Sequence, residues 1–238
     1  MSLDPRVTEL HKRAAARPDV IPLAGGLPAD ELLPSAALSA VVAEAALHRD
    51  ALQYGWPEGL AAVRSWIAAR LVARGACVDA DQVIVTAGAQ QALALVAAEL
   101  PRGTRIAVGP ATYPAALSAF ADHAIVEHGS ADATYVIAGV SNPHGVDLLG
   151  DAFPDGELIV DEAYAELRFD GRVPPPVAPR APHRVWHVGT VSKTLCPGLR
   201  IGWLVPPPHR RASCSSESSL RICRLHRSPR SRSRACST

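Results

Sequence analysis

The chain has 238 residues, of which 48% are hydrophobic and 20% charged, a balance that excludes a disordered polypeptide and allows a sizeable core. Its formal net charge is +1, but from His209 onward eight arginines face one glutamate, so this tail carries +7 and the body before it −6. A mildly acidic body excludes the broad basic surface of a nucleic-acid binder, and no apolar run is long enough to cross a bilayer.

The first nineteen residues, MSLDPRVTELHKRAAARPD, are charged throughout and lack the apolar centre of a signal peptide, so a cytoplasmic location is expected. The spacing of apolar residues in EGLAAVRSWIAARLVARG predicts a helix over Glu58–Gly75 that stops on its glycine. QVIVTAG (Gln82–Gly88) reads as a β-branched strand closing on glycine, and AQQALALVAAEL (Ala89–Leu100) as the helix after it. Further strands are expected in RIAVG (Arg105–Gly109), TYVIAGV (Thr134–Val140), ELIVDE (Glu157–Glu162) and RVWHVGT (Arg184–Thr190), separated by helices or turns such as TYPAALSAFADH (Thr112–His123). Continuous apolar strands alternating with helices predict an α/β fold with a mostly parallel sheet sandwiched by helices.

Two segments break that pattern. GRVPPPVAPRAPHR (Gly171–Arg184) is proline-rich and is expected to be a surface loop. After Pro208 the strand–helix alternation ends in an Arg/Ser/Cys-rich stretch, which reads either as a tail for RNA or a phosphorylation-dependent partner or as a change of reading frame near Pro206, the reading preferred here. Three spans follow: an N-terminal segment at 1–50, a main domain at 51–208 and an aberrant, disordered tail at 209–238. The five cysteines (77, 196, 214, 223 and 236) show no CxxC pair, and His48, His123, His128, His183 and His187 show no metal spacing, so reduced thiols and no metal site are expected.

Five strand ends carry residues with chemistry to offer. At TAGAQQAL, the Gly88–Ala89–Gln90 turn opens a helix whose free N–H groups suit a phosphate, although small residues there also serve packing. In ATYPAAL, Tyr113 stands where an aromatic can stack on a planar ligand, or simply pack. SNPHG puts the Asn142 amide in a turn, and IVDEAY ends a strand on Asp161, a partner for a protonated ring nitrogen or a helix cap. Lys193 is one of only two lysines. It sits in VSKTLCPGLRIGW after a strand, where desolvation and the nearby Arg200 favour a nucleophilic amine. Thr190 and Ser192 add hydroxyls beside it. Phosphate cradle, stacking ring, amide, carboxylate and amine together are the set that pyridoxal phosphate requires.

From Leu23 to Val205, SKTLCPGLRIGW, DEAY, TAGAQQAL and YGWPEGLAAVR occur in the order of the fold-type I pyridoxal-phosphate enzymes, and the sequence resembles their class I/II aminotransferase branch. LAGGLPADELLP (Leu23–Pro34) resembles the aminoadipate-aminotransferase-like and regulator-linked members. The resemblance implies a large domain that binds pyridoxal 5'-phosphate and transfers an amino group between an amino acid and a 2-oxo acid, in amino-acid metabolism or biosynthesis. It implies that Lys193 forms the imine and moves the proton, that Asp161 pairs with the ring nitrogen, and that Tyr164 and Asn142 hydrogen-bond the ring hydroxyl. Tyr113 would stack on the ring, while Gly88, Ala89, Gln90, Thr190, Ser192 and Arg200 would hold the phosphate. Tyr54 would reach the phosphate of a second subunit, which implies a homodimer, and Gly25 or Gly26, with Asn142, would line the substrate pocket.

The sequence also departs from the family. His144 is atypical in its turn, only 19 positions separate Asn142 from Asp161, and nothing in the tail resembles the small domain that carries the substrate's carboxylate-binding arginine. The small domain is therefore expected to be largely absent. The alternatives are another fold-type I reaction, such as decarboxylation or lyase chemistry, and a cofactor-binding fragment with crippled catalysis. A regulator's sensing half is disfavoured because only about twenty residues precede LAGGLP.

Overall fold

A computed structural model describes residues 9–10, 12–14, 16–17, 19–21, 26–127, 130–142, 145, 155–176 and 183–225, the last seven by backbone alone. Gly25, His128, His144 and the tail beyond residue 225 lie outside the described residues.

The core is a seven-stranded sheet in the order β1-β7-β6-β5-β4-β2-β3. Its strands are β1 (Ile84–Thr86), β2 (Arg105–Val108), β3 (Ala124–Val126), β4 (Ala133–Ile137), β5 (Glu157–Asp161), β6 (Val185–Thr190) and β7 (Gly202–Val205). Only β7 runs against its neighbours; the pairs β2–β3, β2–β4, β4–β5 and β5–β6 are parallel. The expected mostly parallel α/β sheet is therefore present. β3 and β7 were not read as strands in sequence, because each is short and β7 hides inside the lysine motif.

Helices cover both faces. They are α1 (Ser35–Ala45), α2 (Arg49–Leu52), α3 (Ala61–Ala73), α4 (Ala89–Glu99), α5 (Pro114–Ala119) and α6 (Arg211–Leu225). On one face Ala92, Leu93, Leu95 and Val96 of α4 are fully buried against Ile84, Ile159, Trp186, Val188 and Leu204. Burying each large aliphatic side chain is worth roughly 1.5–3 kcal/mol, so this contact anchors the helix start. On the opposite face Ile67, Ala68 and Leu71 of α3 pack on Val83, Val191, Trp203 and Val205. Gly75 follows α3 with φ +96° and lets the chain leave the helix as the sequence expects.

Parallel register puts paired residues on the same face. Asp161 pairs with Ile137 on β4 and Val188 on β6, whereas Val160 pairs with His187. Asp161 thus faces the α4 side, and His187 faces the α3 side. There His187 is fully buried, its Nδ1 3.7 Å from Glu162, whose carboxylate accepts from Arg74 at 2.6 Å. Burial pushes the His187 pKa down. Between Gly171 and Pro176 the proline-rich segment carries no helix or strand, as expected of a loop.

One expectation is corrected. Residues 211–225, read as part of a disordered tail, form α6. Cys214 and Ser218, four residues apart, are both fully buried, Cys214 within the α4-side core. Ser218 donates to the Pro57 carbonyl and Ser213 to Glu99. Among the described side chains of α6, small Cys and Ser residues are the buried ones, which a search for Leu, Ile and Val does not register.

Candidate active site

The parallel strands end at one edge of the sheet, and the candidate residues gather there. β1 ends at Thr86, and the backbone turns through Gly88 at φ +92° into α4. Gly88 occupies the N-cap position and no side chain caps the helix, so its first N–H groups remain available for an anion. Two side chains fix this turn: the Thr86 hydroxyl donates to the Gly88 carbonyl at 3.0 Å, and the Ala87 N–H donates to Gln91 Oε1. Arg200 closes it from the side. Its guanidinium donates to the Ala87 carbonyl at 3.0 Å and lies so close that a β-carbon on Gly88 would stand 2.9 Å from Nη2. Arg200 itself holds φ +53°, a left-handed conformation costly for a non-glycine residue. Gly202 of β7 backs the turn; a β-carbon there would meet the Gly88 carbonyl carbon at 2.5 Å.

Thr190 and Ser192 stand at the end of β6. The Thr190 hydroxyl donates to the Ile201 carbonyl at 2.8 Å and accepts from the Ser192 N–H at 3.1 Å. Ser192 Oγ lies 2.9 Å from it. Because the Thr190 proton goes to Ile201, Ser192 is the donor in the Thr190–Ser192 contact, which fixes the direction of its hydroxyl.

Lys193 Nζ donates to the Gly26 carbonyl at 2.6 Å and lies 5.7 Å from the centre of the Tyr164 ring. A β-carbon placed on Gly26 would sit 3.4 Å from Tyr164 Oη, 3.7 Å from Asn142 Nδ2 and 3.9 Å from Lys193 Nζ. Four sequence-distant residues therefore converge on one small volume, which only glycine leaves open. Tyr113 is the N-cap of α5 and 44% exposed. Partial burial and the charge of Asp161 raise its pKa, an electrostatic sign that ring and carboxylate share the site. The Gln90 side chain ties the cradle to this helix by donating to the Ala115 carbonyl at 2.7 Å.

Asp161 is 4% exposed. One carboxylate oxygen accepts from the Ala163 N–H and the other from the Tyr135 hydroxyl, each at 3.0 Å. Asp161 therefore caps a turn with one oxygen, and each oxygen keeps a further lone pair. Burial pushes its pKa up to about 6, against the opposing pull of those two donors. Tyr54 stands apart, 98% exposed on the loop after α2. Sequence reading missed Tyr135, Gln91 and Gly202. The alternation in β4, which sets Tyr135 and Ile137 on one face, was the available signal for the first.

The arrangement offers an anion cradle, a buried carboxylate, an amine and two neutral donors around a space open at Gly26. No family model matches the sequence. The chain is 32% identical over 234 residues to aromatic-amino-acid aminotransferase 1 of Thermococcus litoralis, covering 80% of this chain and 55% of that protein. It is 31% identical to the 2-aminoadipate transaminase of Thermus thermophilus, covering 81% and 56%. Its fold matches the kynurenine aminotransferase of Pyrococcus horikoshii, solved with PMP, at a TM-score of 0.81 and 27% identity over 93% of this chain and 64% of that one. The chain thus spans little more than half the length of the curated relatives it matches. By fold and by sequence the chain resembles the large domain of the fold-type I, class I/II aminotransferases.

Proposed function

We propose that the protein is an aminotransferase that binds pyridoxal phosphate and moves an amino group between an amino acid and a 2-oxo acid. The observation that carries this reading is the convergence of Lys193, Tyr164 and Asn142 on Gly26 beside a buried carboxylate. Residues 51–208 would form the cofactor domain and residues 1–50 a segment that closes over it, with Gly25 and Gly26 facing the substrate. The residues present fit the cofactor. A phosphate would take the free N–H groups of Gly88, Ala89 and Gln90, Ser192 and Arg200, with Thr190 orienting Ser192. A pyridinium would pair with Asp161, Tyr113 would stack on the ring, and Tyr164 and Asn142 would donate to its hydroxyl.

When bound, the cofactor supplies an electron sink for the pair left at the substrate α-carbon. The chain's own part is acid–base and positional. The Lys193 amine would take the α-proton and return it one position away, a short swing from its hold on the Gly26 carbonyl. Asp161, ionised above pH 6, would keep the ring nitrogen protonated. Tyr54, fully exposed on a loop beside the exposed Trp56, would serve the phosphate of a second subunit in a homodimer. No described helix is long and apolar enough to cross a membrane, and we place the enzyme in the cytoplasm.

Named relatives act on aromatic amino acids and on 2-aminoadipate, so these are the donors to try first, with pyruvate or 2-oxoglutarate as acceptor. The purified holoprotein should form the corresponding amino acid and 2-oxo acid in equal amounts, and Lys193→Ala should lower the rate at least about 1000-fold. Release of carbon dioxide or ammonia without amino transfer would favour decarboxylase or lyase chemistry instead.

A further inference from the structure

Tyr135 is a buried tyrosine with a polar partner at the centre of the site. It is 1% exposed in the middle of β4 and pairs in register with Ile159, two residues before Asp161. Because β4 and β5 are parallel, Tyr135 and Asp161 project from the same face, and the tyrosine ring spans the two-residue offset. Its hydroxyl reaches Asp161 Oδ2 at 3.0 Å. Phe120, at the end of α5, meets the ring edge to face at 5.7 Å and 65°, which fixes its direction.

We propose that Tyr135 is a positioning residue of the cofactor site, whose hydroxyl holds the Asp161 carboxylate ionised and turned toward the cofactor's ring nitrogen. The proposal rests on the functional reading above. With Ala163 N–H on one oxygen and Tyr135 on the other, the carboxylate cannot rotate without losing a bond. Each oxygen keeps a second lone pair for a cationic partner. Tyr135 is a dependable donor, since burial and the charge of Asp161 push its own pKa well above the ordinary value.

The charged and titratable groups coupled to Asp161 divide clearly. Burial and the Glu162 charge favour its neutral form, although Arg74 at 2.6 Å neutralises Glu162 and buried His187 lies behind that pair. Burial and the Asp161 charge push the Tyr113 pKa up, so its phenol stays neutral, while Arg200 acts on it in the opposite sense. Tyr135 is therefore the one side chain among the described residues that hydrogen-bonds the charged form directly.

The test is Tyr135→Phe, which keeps the ring and its edge contact with Phe120 while removing the hydroxyl. In protein carrying carbon-13 aspartate, the Asp161 carboxyl of the unloaded chain should titrate about one pH unit higher in the variant than in wild type. Pyridoxal-phosphate affinity, read by absorbance, should fall about threefold near pH 6.5, with the gap closing by pH 8.5. Placed in an Asp161→Asn background, the same substitution should change affinity less than twofold. An unchanged Asp161 midpoint, or an equal loss of affinity in the Asp161→Asn background, overturns the proposal. A wild-type chain that takes up no pyridoxal phosphate overturns the functional reading and this proposal with it; uptake by wild type, with midpoint and affinity both unmoved in Tyr135→Phe, overturns this proposal alone.

Discussion

Asp161 is where stability and chemistry pull against each other. Its pKa of about 6 lies above the value of 3.8 that it has when unfolded, so between roughly pH 4 and pH 6 the folded chain binds a proton the unfolded chain does not. The folded state therefore loses stability as pH rises through that window, by about 3 kcal/mol in all. Asp161→Asn removes this dependence. The stability of wild type relative to the variant, from denaturant unfolding of the unloaded protein, should rise by about 3 kcal/mol from pH 7 to pH 4; a flat difference would show that the site is open to water. A second residue-scale expectation concerns thiols. Burial and the Glu99 charge push the Cys214 pKa up to about 12, whereas Cys77 is exposed. A thiol reagent followed by peptide mass mapping should label Cys77 in the native protein and Cys214 only after unfolding. The sequence singled out Lys193 and Asp161 because an amine and a carboxylate stood at strand ends, and Tyr164 through the family resemblance of DEAY. Tyr135 stayed hidden, because a tyrosine in an apolar strand looks like core until its hydroxyl is given a partner.

At the scale of the elements, the proposed phosphate cradle is a contact between α4, β1 and β7. Gly202 touches the Gly88 turn so closely that no side chain fits, so Gly202→Ala should cost about 2 kcal/mol of stability. It should also weaken pyridoxal-phosphate binding at least tenfold, because the cradle must shift; thermal unfolding and absorbance titration measure the two effects. Strong binding with lost stability would place the phosphate elsewhere. The α4 period and the β1 glycine stop were readable, since both are local patterns. β7 was not, because its pairing with β1 and β6 brings together residues more than 100 positions apart in the first case. α6 escaped for another reason: among its described side chains the buried ones are Cys214 and Ser218, and small residues of this kind carry little periodic signal.

For the whole molecule, the described residues bring the proposed cofactor-binding side chains to one sheet edge, while the chain spans about 55% of its curated relatives. The exposed Val41 and Val42 lie on the N-terminal segment, and the exposed Tyr54 and Trp56 at the start of the main domain, which fits the proposed second copy; sedimentation should give twice the chain mass. Substrate choice was not legible, since of the residues assigned to the substrate pocket Gly25 and Gly26 carry no side chain and Asn142 is shared with the cofactor. The central claim, that this sheet edge is built around one reactive amine, is tested most directly by covalent mapping. Because the chain has only two lysines, Lys12 and Lys193, protein incubated with pyridoxal phosphate and reduced with borohydride can be digested and the modified lysine located by mass spectrometry. The account predicts a single modification on Lys193, abolished in Lys193→Ala; equal labelling of Lys12 and Lys193, or none on Lys193, would contradict it.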